Sequence, residues 1–380
     1  MVELGDIMRG EAKRYLETRF VRPNQRRAMN DIARCRTPAL GSISQKCEQC
    51  QTEYRLFRSC RNRSCPQCQG DARVKWLESR REEILPVGYL QVVFTPPAEL
   101  NTLARYCPEA FYGAVIRAAG QAIIDVGWHK LHAQLGCLVQ LQTWGQSMVF
   151  HPHAHCVVPC GGFSEDGSRW VLFGTDELPA KTLSNRFRSL LCKHIRTAAR
   201  KGKLVQLPSA ISVEQLLATA INRKWRVYAR PPFGGVEKLL EYLSRYTYRV
   251  AITNDRIVSY ENHEVTFRWR SRHNEEKVCA LEAQEFLRRF LLHVPPRAFV
   301  RIRSYGFLGN RSRKKNVGRA RCLIGTVPAT TSSPERTPRL CPACCVARRG
   351  GPLPHFAPSP RSGPQLVLTL RPPPVHPLAA

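Results

Sequence analysis

The segment FHPHAHCVVP, residues 150–159, carries histidine at every second position and then continues with apolar residues. Side chains of a β-strand alternate between the two faces of a sheet, so His151, His153 and His155 are predicted to project from one face. A single histidine there would be typical of a hydrogen-bonded core residue, but three in register are not. Neutral imidazole is a common metal ligand. The pattern therefore predicts a strand that holds a divalent metal, and a purely structural role for the histidines is the alternative.

Basic side chains greatly outnumber acidic ones: 59 Lys and Arg stand against 29 Asp and Glu in 380 residues, a formal net charge of +30. The planar guanidinium group of arginine matches phosphate oxygens in geometry. This excess favours a polyanionic partner, and it favours nucleic acid over a membrane because no basic amphipathic helix dominates the sequence. The alternative is a solvated basic surface with no specific partner.

No apolar run approaches the roughly 18 residues of a membrane span, and the N-terminal segment shows no signal-peptide core. The sequence therefore predicts a cytoplasmic protein without a membrane partner. In such a reducing compartment, clusters among the 16 cysteines indicate metal ligation rather than disulfide bonds. The G-x4-GK[ST] pattern of an ATP-binding loop does not occur, so no ATP requirement is predicted.

Short strand-like runs are mixed with longer helical ones. Strands are predicted in YLQVVFTPP, in two runs joined around Gly145, and in RIVSY and EVTFRWR. Apolar spacing predicts helices at 7–35 with a break near Arg22, and at 71–84, 108–126, 182–201, 212–224, 236–249 and 282–292. This mixture predicts an α+β fold with a mostly antiparallel sheet flanked by helices. The proline-rich segment 326–380 is predicted to be a partly disordered tail.

Two CxxC pairs with fourteen residues between them predict a structural zinc site with four thiolate ligands, Cys47, Cys50, Cys65 and Cys68. Four thiolates leave no open coordination position, so this zinc would stabilise a fold rather than catalyse a reaction. Cys60 lies between the pairs and is interpreted as a spare ligand or a buried thiol. The basic residues Arg58, Arg61 and Arg63 favour a module that binds nucleic acid.

The helical segment VEKLLEYLSRYTYRVAI places Tyr242 and Tyr246 four residues apart and therefore on one helix face. A phenol can attack a phosphodiester when a metal polarises the phosphate, which would leave a covalent phosphotyrosine. Arg245 and Arg249 flank Tyr246 and would favour its phenolate, so Tyr246 is expected to attack first. The alternative is an amphipathic helix with tyrosines at the edge of its apolar stripe.

The segment NRKWRVYARPPFGG interleaves basic and aromatic residues, a combination typical of single-strand binding because cations follow the backbone and aromatic rings stack on bases. Arg226 and Arg230 are predicted to contact phosphates. Trp225 is predicted to stack on a base, and an equally acceptable interpretation places it in the protein core.

Seven segments occur in the order expected of one family: CRTPALG, CEQC…SCRNRSCPQCQG, VVFTPP, HPHAHCVVPCGGF, VYARPPFGG, YLSRYTYRVAI and FVRIRSYGFLGNRSR. Together they resemble the rolling-circle transposases of the insertion-sequence ninety-one family, which have a histidine–hydrophobic–histidine (HUH) motif and an N-terminal zinc-binding domain. The resemblance covers residues from about 15 to about 325.

The resemblance implies a single-strand DNA endonuclease and strand transferase with an HUH-type antiparallel sheet. His153 and His155 would bind Mg²⁺ or Mn²⁺, with His151 as an auxiliary ligand, and Tyr242 and Tyr246 would be the nucleophiles. The expected domains are a helical zinc-binding module at 1–88, a catalytic domain at 89–325 and the tail at 326–380. Two alternatives remain: a non-catalytic zinc-dependent DNA-binding protein, and a hydrolytic metal-dependent nuclease whose tyrosines only pack.

Overall fold

A computed structural model describes residues 2–46, 53–68, 70–230, 233, 236–247, 250–271 and 273–325. Within these residues the helices are α1 (Leu4–Thr18), α2 (Pro23–Arg34), α3 (Gly70–Arg81), α4 (Asn101–Tyr106), α5 (Pro108–Leu131), α6 (Ala180–Arg200), α7 (Val213–Ile221), α8 (Val236–Thr247), α9 (Ala283–Leu292) and α10 (Arg313–Ile324). The strands are β1 (Ser42–Lys46), β2 (Glu53–Phe57), β3 (Tyr89–Thr95), β4 (Ala133–Gln134), β5 (Gly136–Trp144), β6 (Phe150–Pro159), β7 (Gly161–Ser164), β8 (Trp170–Leu172), β9 (Arg226–Arg230), β10 (Ile257–Glu261), β11 (Glu264–Arg270), β12 (Glu276–Glu282) and β13 (Ile302–Gly306).

The described chain is an α+β protein with antiparallel sheets flanked by helices, so the predicted fold class is confirmed. The predicted helices correspond to α1 to α3 and α5 to α9, and the two strands around Gly145 are β5 and β6. The sequence did not predict the helices α4 and α10 or the strands β1, β2, β4, β7, β8, β9, β12 and β13. The predicted tail, 326–380, lies outside the described residues. No described helix combines the length and apolarity that a membrane span requires.

Contacts divide the described residues into two compact units, one formed by 2–33 and 61–325 and the other by 34–60. In the smaller unit, β1 and β2 form an antiparallel pair in which Ser42 lies opposite Phe57. The amide of Arg58 donates to the carbonyl of Gly41 at 3.0 Å, and the amide of Arg36 donates to the carbonyl of Arg58 at 3.1 Å. These bonds close the base of the hairpin.

The main sheet of the larger unit has five antiparallel strands in the order β13-β5-β6-β3-β9. One of its faces is apolar because every second residue along β3, β5 and β6 is aliphatic or aromatic. That face packs against α5 and α6; Phe94 of β3, for example, meets Phe187 of α6 with ring centroids 4.9 Å apart. Its buried side chains include Leu90, Val92, Phe94, Val139, Leu141, Ala154, Cys156 and Val158.

The opposite face of the main sheet is partly covered by α8. Leu239 and Leu243 of this helix are buried against Tyr89 of β3 and Val157 of β6. Tyr89 and Val157 belong to the residue set that alternates with the apolar face, so α8 lies on the other side of the sheet from α5 and α6. Tyr242, the residue before Leu243, therefore also lies over this face of the main sheet.

A second sheet of the larger unit, β10-β11-β12, is tied to α1 through a buried carboxylate. Glu11 of α1 is fully buried and accepts hydrogen bonds from Tyr260 at 2.9 Å, from Gln284 at 2.7 Å and from His263. Burial raises the pKa of Glu11, but these hydrogen bonds outweigh it and leave the pKa below the ordinary value. The carboxylate therefore links α1 to β10, to the turn that follows β10, and to α9.

Candidate functional site

The three histidines of β6 lie in a row on the face of the main sheet that α8 covers. His153 and His155 are buried, with 8% and 9% of their surface exposed, and their ring centroids are 4.8 Å apart. His151 is exposed at the beginning of the strand, and its ring lies 5.1 Å from that of His153. The three histidines therefore project from one face of the strand, as their period-two spacing predicted.

The side chain of His153 is held in a defined orientation and tautomer. Its Nδ1 atom lies 2.6 Å from the backbone oxygen of His151, and a carbonyl can only accept, so Nδ1 carries the proton and donates. Burial lowers the pKa of His153 to about 4, so the ring is neutral near pH 7. A neutral imidazole whose Nδ1 donates presents the lone pair of Nε2, which is the form that binds a metal.

Tyr242 lies directly against the second histidine. Its hydroxyl oxygen is 3.0 Å from Nδ1 of His155 and 2.8 Å from the side-chain nitrogen of Gln91, a residue of β3. The same nitrogen of Gln91 is 3.1 Å from Nδ1 of His155, so the three polar atoms form a compact triangle. The ring of Tyr242 also packs against Phe233, with centroids 4.9 Å apart. The phenol is therefore positioned by packing and by hydrogen bonding.

The backbone of Tyr246 belongs to α8, four residues after Tyr242. The side chains of residues 244–249 are outside the described part of the chain. The roles predicted for Tyr246, Arg245 and Arg249 therefore stay predictions.

Glutamine side chains complete the polar face around the histidines. Gln140 and Gln142 of β5 lie directly opposite His155 and His153, and all four side chains are buried. The sequence reasoning did not single out Gln91, Gln140 or Gln142. The alternation of polar and apolar residues in LVQLQTW is the signal that could have pointed to the two β5 glutamines.

The edge strand β9 extends this face with exposed basic and aromatic side chains. Arg226, Tyr228 and Arg230 are exposed, and they alternate with the half-buried Val227 and Ala229. Tyr228 lies opposite Val93, which in turn lies opposite His155. Cross-strand neighbours share a face, so Tyr228 is two strand spacings, roughly 10 Å, from His155 along the polar face.

Trp225, which precedes β9, is in the core. Only 8% of its surface is exposed, its Nε1 donates to the carbonyl of Ala220 at 2.9 Å, and its ring meets Phe187 at 5.7 Å. A ring enclosed in this way has no face open to a base. The structure therefore favours the core interpretation of Trp225 over base stacking.

The three arginines predicted to bind DNA near the cysteines differ in their surroundings. Arg58 and Arg61 are exposed. Arg63 is half-buried and donates to the carbonyl oxygens of Pro296 and Phe299, and burial lowers its pKa below the ordinary value. Because backbone carbonyls occupy its guanidinium group, Arg63 has a structural role. The sequence did not predict this role.

Two cysteine pairs are arranged for metal ligation. In the smaller unit, the Sγ atoms of Cys35 and Cys60 are within 4.8 Å of each other, and the amide of Cys60 donates to Sγ of Cys35 at 3.4 Å. In the larger unit, Cys65 and Cys68 have Sγ atoms within the same distance, and the amide of Cys68 donates to the carbonyl of Cys65 at 3.3 Å. Cys47 and Cys50, the other predicted ligands, lie outside the described residues.

Two families of known proteins match this chain. The family described as "Putative transposase" matches residues 136–316, and the family described as "Transposase zinc-binding domain" matches residues 7–96. The sequence is 42% identical over 369 residues to "Putative transposase y4qJ" of Sinorhizobium fredii (strain NBRC 101917 / NGR234), covering 90% of this chain and 92% of that protein. It is 25% identical over 284 residues to the transposase for insertion sequence element IS801 of Pseudomonas savastanoi pv. phaseolicola, covering 73% of this chain and 68% of that protein.

Among solved structures, the conjugative relaxase TrwC in complex with oriT DNA, in a metal-bound form, overlays 42% of this chain and 70% of its own chain. The sequence identity is 14% and the TM-score is 0.23, which is too low to indicate a shared fold.

The position of Trp225 yields a stability prediction. Trp225→Ala should lower the free energy of unfolding by about 3–5 kcal/mol, because truncation of a buried aromatic side chain leaves a cavity. Tyr228→Ala, three residues away on the exposed face of β9, should change it by no more than about 0.5 kcal/mol. Urea denaturation followed by circular dichroism would measure both variants. Equal, small effects would show that Trp225 is not part of the core.

Proposed function

Because this chain belongs to the insertion-sequence ninety-one family of transposases with an N-terminal zinc-binding domain, we propose that it nicks and rejoins single-stranded DNA at the ends of a mobile element. The proposed reaction passes through a 5′-phosphotyrosine intermediate. The observation that carries the proposal is the hydroxyl of Tyr242, 3.0 Å from the ring of His155 on a face that also presents His153. A nucleophile beside two candidate metal ligands is an arrangement suited to metal-assisted phosphoryl transfer.

His153 and His155 are the proposed ligands of Mg²⁺ or Mn²⁺, with His151 as an auxiliary ligand at the exposed end of the row. The residues fit such an ion because His153 is neutral and its Nδ1 hydrogen bond directs the lone pair of Nε2 away from the backbone. A bound divalent ion would polarise the scissile phosphate and offset the negative charge that develops on its oxygens.

Two hydrogen-bond donors would stabilise the phenolate of Tyr242 during its attack. With Nδ1 of His155 protonated, this nitrogen and the amide nitrogen of Gln91 are two donors aimed at one acceptor, the oxygen of Tyr242. Hydrogen bonds to the charged form of a group stabilise that form. The two nitrogen atoms, Nδ1 of His155 and the amide nitrogen of Gln91, lie only 3.1 Å apart because both point at the same oxygen.

The chemical step exchanges one phosphorus–oxygen bond for another. The phenolate oxygen of Tyr242 attacks phosphorus and forms the phosphotyrosine bond, while the bond to the 3′ oxygen breaks and that oxygen takes up a proton from solvent. The released 3′-hydroxyl can attack the phosphotyrosine in reverse and rejoin a strand. Tyr246 is the proposed nucleophile of a second transfer. The sequence favoured the opposite order, with Tyr246 first; we propose Tyr242 first because its hydroxyl lies 3.0 Å from Nδ1 of His155.

The exposed side of β9 is the proposed path of the single strand toward the histidines. Arg226 and Arg230 would contact phosphates on either side of Tyr228, whose ring, 52% exposed, would stack on a base. Arg58 and Arg61 are further proposed contacts, as are Arg245 and Arg249. The proposed place of action is the cytoplasm.

Structural zinc is proposed to bind the thiolates of each cysteine pair: Cys35 with Cys60 in the smaller unit, and Cys65 with Cys68 in the larger unit. Each pair has its sulfur atoms within 4.8 Å. Four thiolates complete a tetrahedral site. The set predicted from sequence, with Cys47 and Cys50 in place of Cys35 and Cys60, is the alternative.

The phosphotyrosine proposal predicts a covalent protein–DNA adduct. Incubation with a single-stranded element-end oligonucleotide and Mg²⁺ or Mn²⁺ should give an SDS-resistant band in denaturing gels. Tyr242→Phe should remove the adduct that this residue forms, since the phenyl ring packs as before but has no nucleophilic oxygen. Tyr228→Phe is the matched control, a tyrosine of the same sheet face, and should leave the adduct yield within about twofold, since its aromatic ring is kept.

The same gels separate the alternatives. Cleavage that continues without an adduct when both Tyr242 and Tyr246 are phenylalanine would favour the hydrolytic nuclease. Binding without cleavage or adduct in the unaltered protein would favour the non-catalytic DNA-binding protein. His153→Ala and His155→Ala should abolish nicking and retain DNA binding, since binding rests mainly on contacts to phosphates.

The proposed path along β9 predicts a change in salt dependence. Arg226→Gln/Arg230→Gln should reduce the slope of log affinity against log salt for a single strand by about 1.4, because each lost phosphate contact contributes about 0.7. Arg196→Gln should not change the slope, because Arg196 on α6 is already paired with Glu214 at 2.9 Å. Fluorescence anisotropy of a labelled oligonucleotide between roughly 50 and 200 mM salt would measure it. If the salt-dependence slope of Arg226→Gln/Arg230→Gln equalled that of Arg196→Gln, β9 would not be part of the DNA interface.

The zinc proposal predicts one tightly bound zinc ion per chain. Cys35→Ser/Cys60→Ser should lose it and unfold the region around the site, since binding of structural zinc supplies about 10–16 kcal/mol that is also folding free energy. Cys279→Ser on β12 should keep full zinc content. Atomic emission analysis of the purified variants gives the result. Zinc loss in Cys47→Ser/Cys50→Ser but not in Cys35→Ser/Cys60→Ser would instead support the ligand set predicted from sequence.

A further inference from the structure

We propose that one face of α10 binds the phosphate backbone of double-stranded DNA beside the single strand that enters the histidine site. This face, called the basic face of α10, consists of Arg311, Lys314, Lys315 and Gly318. The inference rests on the proposed function, because it concerns the same DNA. It adds a contact surface for a duplex to the single-strand path along β9.

The inner side of α10 is fixed to the larger unit. Val317 and Ala320 are buried in an apolar cluster. Arg313 pairs with Glu83 at 3.0 Å, and Arg321 donates to two backbone carbonyls that follow α3, at 2.6 and 3.2 Å. The orientation of the helix is therefore set by packing and by its own arginines, which decides which residues face outward.

The outer side of α10 carries positive charges without partners. Arg311, Lys314 and Lys315 are exposed, and among the described residues none of the three has a hydrogen bond or an ion pair. Arg319 is exposed as well, but it donates to the carbonyl of Gly167 and is not counted here. The first turn of α10 contains no acidic residue, and positive charges there oppose the helix macrodipole. An anionic partner would offset this cost.

Gly318 lies on the same face as the two lysines, four residues after Lys314 and three after Lys315. It is exposed, and a Cβ atom built at this position would meet no described atom within 4 Å. The fold of the larger unit thus does not require a glycine here, although glycine destabilises a helix relative to alanine. A glycine does let the helix backbone approach a partner closely.

The composition of the basic face favours a duplex over a single strand. Single-strand surfaces combine cations with aromatic rings that stack on unpaired bases, as Arg226, Tyr228 and Arg230 of β9 do. Residues 311–325 contain no aromatic side chain. Cations alone suit a duplex, whose bases are stacked inside and whose phosphates remain accessible.

The position of α10 fits DNA that continues from the histidine site. The helix follows β13, whose last residue, Gly306, lies opposite Gly136 of β5, while Gln142 of β5 lies opposite His153. Six residues of strand at about 3.4 Å each place the histidines roughly 20 Å from this end of the sheet. Val87 packs against both the cluster of α10 and the cluster under α8, so α10 borders the histidine face. Roughly 20 Å corresponds to about six base pairs of duplex.

The test compares the binding of the full chain to a labelled duplex and to a labelled single strand, by fluorescence anisotropy between roughly 50 and 200 mM salt. Arg311→Gln/Lys314→Gln/Lys315→Gln should reduce the slope of log affinity against log salt for the duplex by about 2.7, because each lost contact to duplex DNA contributes about 0.9. The slope for the single strand should change by less than the value of one contact, about 0.7.

The matched control is Arg200→Gln/Lys201→Gln/Lys203→Gln, which removes one arginine and two lysines at exposed positions at the end of α6 and just after it. It should leave the duplex slope unchanged. Equal loss of slope in the two triple variants would overturn the inference, because net charge alone would then explain duplex binding. Equal loss for duplex and single strand in the α10 variant would overturn the assignment to a duplex.

Gly318→Gln provides a second measurement. Glutamine is uncharged and forms helices better than glycine, so the melting temperature should not fall. Its side chain should hold the DNA backbone away from α10 and lower the duplex affinity. Duplex affinity equal to that of the unaltered chain would contradict the close approach of the helix.

These outcomes are distinct from those of the proposed function, because duplex binding needs no cleavage. An unaltered chain that binds the duplex through α10 but forms no adduct with a single strand would refute the proposed function alone. An unchanged duplex slope in the α10 variant, in a chain that does form the adduct, would refute this inference alone.

Discussion

The alternation of side chains along β6 is the constraint on which the rest of the site depends. Ala154, Cys156 and Val158 must face α5 and α6, because burial of these apolar groups against the helices stabilises the larger unit. Because side chains alternate along a strand, His153 and His155 must then project from the opposite face of the sheet. Packing of the core thus positions the two imidazoles, and a shift of register by one residue would place them among the helices.

Most of the secondary structure near the site could be predicted from local patterns. The histidine strand, the helix of Tyr242 and the long helix α5 each carry a clear period over enough residues. The elements that were missed, such as β9 and β13, are short strands of five residues whose partners are distant in sequence. Five residues are too few to show a clear period, and pairing with β3 and β5 defines these strands.

The side chains whose surroundings the sequence left open or did not predict have a common physical cause. Whether Trp225 faces a base or Phe187, and whether Arg63 faces a phosphate or the carbonyls near Pro296, depends on tertiary contacts that leave no local trace. The same holds for Gln91 and Gln142, whose place on the polar face around the histidines arises only when β3, β5 and β6 are aligned. Residue types can thus suggest the chemistry of a site, while strand register decides which of them take part.

The edge position of β9 has a consequence for the colloidal behaviour of the protein. The outer side of an edge strand offers unpaired backbone groups to any other strand, including one of a second copy, and can start aggregation. Arg226 and Arg230 place two like charges on this short strand, so two copies that approached edge to edge would repel each other. The same charges that attract a polyanion would then protect the sheet from self-association, and a chain neutral at both positions would be more prone to precipitate.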